Sequence, residues 1–184
     1  MYEYSRNLYG KFPALTFHHF KGMESVITCY NNPSFEALPL LNEIHGINMY
    51  ITSIKHNYQV YYASIKCKEL DIKYYNFLLN ENNKPLDKSV DLQLVIGQIK
   101  EIFNILKNEK ISLMVNAGSG VFSGTILVYC LLRMSGENRV DALNILTNLR
   151  LEKRCRLGEY RYEFAEKKLV PKLIQPELIV VKNK

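Results

Sequence analysis

Residues 115–125, with the sequence VNAGSGVFSGT, are the part of this chain that could perform chemistry. They carry three glycines and lie between an apolar run and a helical run. A glycine-rich turn before a helix presents backbone N–H groups beside the positive end of the helix dipole, and both favour an anion. The pattern therefore predicts a phosphate or oxyanion cradle with a weakly bound anion. The segment contains no cysteine, histidine, lysine or arginine, so the side chains that usually carry out group transfer are missing.

Two nucleotide-binding motifs use similar glycine-rich turns. A triphosphate-binding loop needs G-x-x-x-x-G-K-[ST], whose lysine reaches the outer phosphates, and this segment has no lysine. A dinucleotide-binding loop needs glycines spaced like Gly118, Gly120 and Gly124, and an acidic residue that closes a second strand about twenty residues later. Glu137 and Asp141 lie near that distance, although both fall in a helical stretch. A nucleotide- or dinucleotide-binding enzyme that uses these glycines therefore stays the alternative interpretation.

Other nucleophiles do not replace the missing groups. A serine such as Ser119 or Ser123 needs an adjacent base. The four histidines are expected to be structural or exposed: His18 and His19 in the amino-terminal segment, His45 at a helix end and His56 in a turn. The cysteines form no C-x-x-C pair, so they indicate neither a metal site nor a disulfide framework, and Cys130 is expected to be a buried, inert thiol. We therefore predict no catalytic residue, no metal and no cofactor.

Hydrophobic periodicity predicts the elements that position this segment. Ile, Val and Tyr enrichment indicates strands at residues 24–30, 47–55, 58–66 and 72–79, with a hairpin between the second and third, and a buried strand at 111–115. Helical spacing indicates helices at residues 34–45, 89–107, 125–134, 138–150 and within 158–169. The order predicts an α/β layered domain with a central, mainly parallel sheet. We assign residues 1–170 to the domain and 171–184 to an extended tail.

The order of elements from about residue 71 to 169 resembles that of the cysteine-dependent protein tyrosine and dual-specificity phosphatases, and the first seventy residues resemble them only in outline. The resemblance implies a three-layer phosphatase-like fold with helices on both sides of the sheet. In that family a helix and a buried strand lead into H-C-x-x-G-x-x-R-[ST]-G, and an apolar helix follows. On this chain the histidine position falls on Asn116, the nucleophilic cysteine on Ala117, the glycine on Gly120 and the arginine on Ser123, with Gly118, Ser119, Val121 and Phe122 between them.

The departures from the motif decide the predicted function. Alanine has no nucleophilic atom, so Ala117 excludes covalent phosphoryl transfer. Ser123 carries no charge and cannot form the bidentate clamp that arginine makes on a phosphate. The general acid of the family would fall in residues 80–88, where Glu81 or Asp87 could occupy its place, although a solvated surface loop explains that segment as well. The sequence therefore predicts a pseudophosphatase, not an enzyme.

A domain without catalysis is expected to act by binding, so we predict a protein-binding or structural subunit of a larger assembly. The net charge of +6 favours an acidic partner. The candidate contact surfaces are the aromatic residues of 58–66 and 72–79 and the apolar run 178–181. The arginine-rich residues 150–161 are expected to be a solvated helix connection, so a nucleic-acid partner is not expected. The chain shows no membrane span, signal or transit peptide, which predicts a cytoplasmic or cytoskeletal protein.

Overall fold

The central strand of the sheet is the apolar strand that precedes the glycine-rich segment. A computed structural model describes residues 15–30, 37–79, 91–116, 121–149 and 159–175. Its strands are β1 (Phe17–His19), β2 (Val26–Tyr30), β3 (Met49–Thr52), β4 (Lys73–Asn76) and β5 (Ser112–Asn116). Within these ranges they form one five-stranded sheet in the order β1-β2-β5-β3-β4. All neighbours pair in parallel except β1, which is antiparallel to β2, so the predicted mainly parallel sheet is confirmed.

Helices cover both faces of the sheet. They are α1 (Leu38–His45), α2 (Asn57–Glu69), α3 (Leu92–Asn108), α4 (Val121–Met134), α5 (Arg139–Asn148), α6 (Glu159–Phe164), a π-helical segment (Ala165–Leu169) and α7 (Val170–Ile174). Leu113 and Val115 of β5 join the apolar core formed by α3, α4, α5 and the last helical stretch. Met114, between them, joins a second core with α1 and α2, because successive side chains of a strand point to opposite faces. The predicted three-layer α/β architecture is confirmed.

Helix ends follow from capping residues that the sequence displays. Asp91 caps α3, since its side chain accepts hydrogen bonds from the backbone N–H groups of Gln93 and Leu94. Asn138 caps α5 in the same way through the N–H of Asp141. Gly46 ends α1 in the left-handed conformation, with φ of 61°, directly after residue 45, where the predicted helix ends.

Helix α2 occupies residues for which the sequence predicts a strand and a hairpin, so both predictions are wrong. Strand propensity reflects a half-buried position in a sheet, but Tyr58 and Tyr61 are 77% and 69% exposed. The helix packs through Ala63 and Cys67, which are buried and lie one turn apart. Because β3 and β4 are parallel, the chain between them must cross over the sheet, and a helix is the usual crossover.

The predicted extended tail also begins differently. Residues 170–174 are helical, and Leu169, Val170 and Leu173 are buried in the main core. Pro171 lies in the first turn of α7, directly after the π-helical segment, so the helical stretch continues through this proline. The predicted domain boundary at residue 170 therefore falls inside a helical stretch. The apolar run 178–181 lies outside the described residues.

A polar cluster attaches this last stretch to α4. The carboxylate of Glu166 accepts hydrogen bonds from the Tyr129 hydroxyl at 2.5 Å and from Arg133 Nε at 2.6 Å. Burial alone would raise the pKa of Glu166, but the bonds from Arg133 and Tyr129 outweigh it and hold that pKa below its ordinary value. The ring of Tyr129 also packs on that of Tyr162, with centroids 5.2 Å apart.

Some predicted features fall on parts of the chain that the structure does not describe. They are the loop with Glu81 and Asp87 and most of the arginine-rich segment 150–161. In the described ranges we find no helix that is both long enough and apolar enough to cross a membrane.

Ser25 joins the end of α3 to the start of β5. Its buried hydroxyl lies 2.8 Å from the carbonyl oxygens of Leu106 and Glu109, to which it donates, and it accepts the N–H of Ile111 at 3.0 Å. This hydroxyl therefore fixes where the central strand begins relative to the helix before it.

Replacing Ser25 with alanine should lower the free energy of unfolding by about 1–3 kcal/mol, because the buried N–H of Ile111 loses its acceptor. Urea denaturation measures the change. Ser135→Ala is the control, since the Ser135 hydroxyl donates to Leu132 at the end of α4 and is only partly buried. We expect a change below about 0.5 kcal/mol for that variant. Equal losses in both variants would contradict the role of Ser25.

Candidate functional site

The carboxyl ends of four parallel strands meet at one edge of the sheet. Pairing places Tyr30 of β2 beside Asn116 of β5, and Thr52 of β3 beside Asn76 of β4. In open α/β sheets, ligands bind in the crevice at this edge. The chain leaves β5 at Asn116 and enters α4 at Val121, so the predicted cradle connects the two elements here.

The structure describes only part of the predicted site. Ala117, Gly118, Ser119 and Gly120 lie outside the described residues. Val121 and Phe122 begin α4, and Ser123 lies in its first turn. The predicted weak anion at this loop stays a prediction.

Asn116, at the position that the motif gives to histidine, is a buried structural amide. It is 6% exposed, and its side chain makes a hydrogen bond with the phenol of Tyr50. Burial raises the pKa of Tyr50, and the neighbouring Cys67 and Tyr74 raise it further, so the phenol stays protonated at neutral pH. The bond therefore joins two neutral groups and fixes the end of β5 to the core under α1 and α2.

Ser123, at the position that the motif gives to arginine, is buried with 3% exposure. Its Oγ accepts a hydrogen bond from the backbone N–H of Leu79 at 3.0 Å. Leu79 follows β4, so this bond ties the first turn of α4 to the chain that leaves the edge strand. The hydroxyl of Ser123 therefore satisfies a buried backbone group.

Gly124 packs directly against the end of β5. A Cβ atom at this position would lie 3.3 Å from the carbonyl oxygen of Asn116, 3.3 Å from Cγ1 of Val115 and 3.5 Å from Oγ of Ser53. The first two distances are shorter than ordinary van der Waals contacts. Glycine therefore lets α4 approach the strand closely, where the family motif has serine or threonine.

Ser53 is a residue of this edge that the sequence does not reveal. Its Oγ is buried and makes no hydrogen bond within the described part of the chain. The backbone beside it is held firmly, because the amide of Asn76 accepts the N–H of Ile54 at 2.9 Å and donates to the carbonyl of Ile54 at 3.0 Å. Ser53 directly follows β3 and Asn76 is the last residue of β4. A position at a predicted strand end is the one local signal for these two residues, and it does not say that the two strand ends are neighbours.

The predicted inert groups are placed as follows. Cys130 lies buried within α4, and burial raises the pKa of its thiol well above the ordinary range. Burial likewise raises the pKa of Cys67 to about 12.

Two of the described histidines lie away from the loop. His19 pairs with Val26 and His45 lies near Ser112, both at the amino-terminal edge of the sheet, opposite the loop. His56 is exposed just before α2. Among the described residues, no group of three potential metal ligands comes together.

Solved structures with the same fold are protein tyrosine phosphatases and their relatives. A putative protein tyrosine phosphatase from Leishmania major superposes with a TM-score of 0.61 at 12% identity, over 84% of this chain and 98% of that chain. Kinase associated phosphatase (KAP), carrying serine in place of its catalytic-site cysteine, gives 0.61 at 15% identity, over 85% and 97%. The core catalytic domain of the PP-IP phosphatase SIW14 from S. cerevisiae, in complex with citrate, gives 0.54 at 17% identity, over 85% and 87%.

These neighbours confirm the predicted resemblance at the level of fold. The chain has the fold of the protein tyrosine and dual-specificity phosphatases. No protein-family model matches the sequence, and no match was found among curated proteins.

The close approach at Gly124 gives a stability prediction with an internal control. Gly124→Ala should lower the free energy of unfolding by about 1 kcal/mol, because the added methyl group crowds the carbonyl of Asn116 by more than the helix gains from alanine. Gly97→Ala, in α3 with nothing within 4 Å of the new methyl group, should raise it by about 0.5–1 kcal/mol. Chemical denaturation of both variants measures the two signs. A stabilised Gly124→Ala variant would show that α4 does not approach β5 this closely.

The hydrogen bond of Ser123 gives a second prediction. Ser123→Ala should cost about 1–3 kcal/mol, because the buried N–H of Leu79 is left without an acceptor. The control is Ser64→Ala, whose hydroxyl donates to the carbonyl of Tyr61 on the exposed side of α2, and a change within about 0.5 kcal/mol is expected there. Thermal melting of the two variants compares them directly. A Ser123→Ala variant as stable as the wild type would remove this residue from the framework of the site.

Proposed function

We propose that this chain is a phosphatase-fold domain that does not hydrolyse phosphate esters and acts as a protein-binding or structural subunit of a larger assembly. The observation that carries the proposal is the state of Ser123. A neutral hydroxyl stands at the motif position of arginine, is buried, and accepts the N–H of Leu79. A group with one donor proton and no charge cannot replace a bidentate guanidinium on a phosphate.

The nucleophile position supports the same proposal. In the KAP neighbour, serine replaces the cysteine of the catalytic site, and the motif assigns the cysteine position here to Ala117. The three described thiols do not substitute for it, because burial raises the pKa of Cys29, Cys67 and Cys130, and a protonated thiol is a poor nucleophile. Among the described residues, phosphoryl transfer through a cysteine intermediate therefore has no side chain to begin it.

The dinucleotide alternative is disfavoured by topology. That interpretation needs a further parallel strand after α4, with an acidic residue at its end for the ribose. In the described residues α4 leads into α5, and Asp141 lies in the first turn of α5, where its N–H and carboxylate bond to Asn138. Glu137 lies between α4 and α5 and Asp141 lies in α5, so neither acidic residue is at the end of a strand.

A domain that keeps its scaffold without catalytic groups is maintained for its surface. The packing of α4 on β5 and the bonds of Asn116 and Ser123 hold the described part of this edge in place without a catalytic side chain. Binding of a protein needs shape and surface chemistry, neither of which depends on a thiolate.

Purified wild-type protein should hydrolyse a generic aryl phosphate no faster than buffer, and Ser119→Ala should behave identically. Because a serine without an adjacent base is unreactive, no residual rate is expected. The release of the aryl alcohol is followed by absorbance, with an active phosphatase as the positive control. Hydrolysis that disappears in Ser119→Ala would overturn the proposal.

A melting experiment tests the dinucleotide-binding alternative. Millimolar nicotinamide dinucleotide should leave the melting temperature of the purified protein unchanged, and a clear rise would favour a dinucleotide-binding enzyme.

A further inference from the structure

Four neighbouring side chains stand exposed on the outer face of α2. Tyr58, Tyr61, Tyr62 and Ile65 are 77%, 69%, 42% and 36% exposed. They follow the spacing i, i+3, i+4, i+7, which places them on one side of a helix. Ala63 and Cys67, through which α2 packs on the sheet, lie on the opposite side. We call these four residues the tyrosine stripe.

The tyrosine stripe differs from the other exposed apolar residues of the molecule. Leu94 and Val140 are 60% and 65% exposed on separate helices, and single exposed residues of this kind are ordinary. The stripe instead offers a continuous surface of about 400 Å², estimated from the usual area of aromatic side chains. Patches of this size on a monomer commonly mark interaction sites, and tyrosine is enriched at the cores of protein interfaces.

The charged residues beside the tyrosine stripe indicate the charge of its partner. Residues 55–69 contain Lys55, Lys66 and Lys68 against the single acid Glu69, a net charge of +2. Glu69 already pairs with Lys66 at 2.7 Å, whereas Lys55 and Lys68 are exposed at opposite ends of α2. Opposite charges across an interface guide association, and like charges oppose it. The surface therefore suits an acidic partner and disfavours a second copy of this chain, which would bring the same lysines together.

The length and area of the tyrosine stripe further limit the kind of partner that it could bind. The stripe spans about 10 Å, or two helical turns, and its area is about half of what each partner buries in a stable protein complex. One short segment is enough to cover it. Two exposed lysines also supply far fewer phosphate contacts than the 6–10 that are typical of nucleic-acid binding.

We propose that the tyrosine stripe binds an acidic amphipathic helix of a protein partner, with apolar side chains on the tyrosines and carboxylates near Lys55 and Lys68. This inference rests on the proposed binding function and names the surface and the partner chemistry for it.

The test uses the whole chain and a fluorescein-labelled helical peptide of about 16 residues. The peptide consists of alanine and glutamate with leucines at i, i+3, i+4 and i+7, and a matched peptide has lysine in place of every glutamate. Fluorescence anisotropy should give a dissociation constant on the order of 0.1 mM for the acidic peptide and one at least tenfold weaker for the basic peptide. Raising the salt concentration to about 0.5 M should weaken the acidic complex several-fold.

Variants assign the binding to the stripe. Tyr58→Gln combined with Tyr61→Gln should weaken the acidic peptide at least tenfold, because the two most exposed rings are lost while glutamine preserves the helix. Lys55→Gln combined with Lys68→Gln should weaken it several-fold. The matched control is Leu94→Gln with Val140→Gln, which removes exposed apolar area elsewhere and should leave the affinity within about twofold.

Equal binding of both peptides, or unchanged affinity in the tyrosine variant, would overturn the inference. So would a dimer in sedimentation that the tyrosine variant abolishes, which would assign the surface to a second copy. Tighter binding of a thymidine oligonucleotide of about twelve nucleotides, lost in the same variant, would assign it to nucleic acid. Hydrolysis of an aryl phosphate would refute the proposed non-catalytic function without changing the peptide result, so the two failures are distinguishable.

Discussion

The close approach of α4 to the end of β5 is the contact on which the rest of the site depends. β5 is buried on both faces and pairs with a strand on each side, so its position cannot adjust. The first turn of α4 must therefore fit against it, and Gly124 permits the distance. Ser123, one residue earlier, faces the chain after β4, where its Oγ accepts the N–H of Leu79. The first turn of α4 is therefore fixed on one side by the contact of Gly124 with β5 and on another by this hydrogen bond.

Three described side chains at this edge of the sheet, those of Asn116, Ser123 and Asn76, are amides and a hydroxyl that form hydrogen bonds within the protein. Asn116 bonds to Tyr50, Ser123 to Leu79, and Asn76 to Ile54 and Thr52. The family motif places histidine and arginine, and not uncharged side chains, at the positions of Asn116 and Ser123. Asn116, Ser123 and Asn76 are each hydrogen-bonded, which is the condition that makes buried polar groups favourable, whereas the Oγ of Ser53 has no partner within the described part of the chain.

The sequence predicts the elements whose signals are local and strong. The long apolar stripe of α3, the apolar strand β5 and the apolar helix α4 all appear close to where the pattern places them, so much of the fold can be predicted from the sequence, although α3 begins after Asp91 and not at residue 89. Helix α2 is not, because the pattern of tyrosines describes the face toward solvent, and the buried face consists of small residues that give little signal. The parallel pairing of β3 with β4, which requires a crossover, is a long-range fact that no local pattern contains.

The residues of the candidate site also divide into those that the sequence reveals and those that it does not. The motif positions Asn116 and Ser123 can be found along the chain because they lie beside a strand and a helix with clear signals. Ser53 and Asn76 come from other strands and reach the same edge only through the order of strands in the sheet. Their contribution depends on which strand ends become neighbours, and a single sequence does not record that order.

The attachment of the last helical stretch has a mechanical consequence. Glu166 holds Tyr129 and Arg133, both on α4, while Leu169 and Leu173 are buried in the main core. A pull on the chain beyond residue 175 would therefore load α4 at Tyr129 and Arg133, about one and about two helical turns beyond Thr125. The ion pair between Glu166 and Arg133 and the apolar packing of Leu169 and Leu173 would bear such a load.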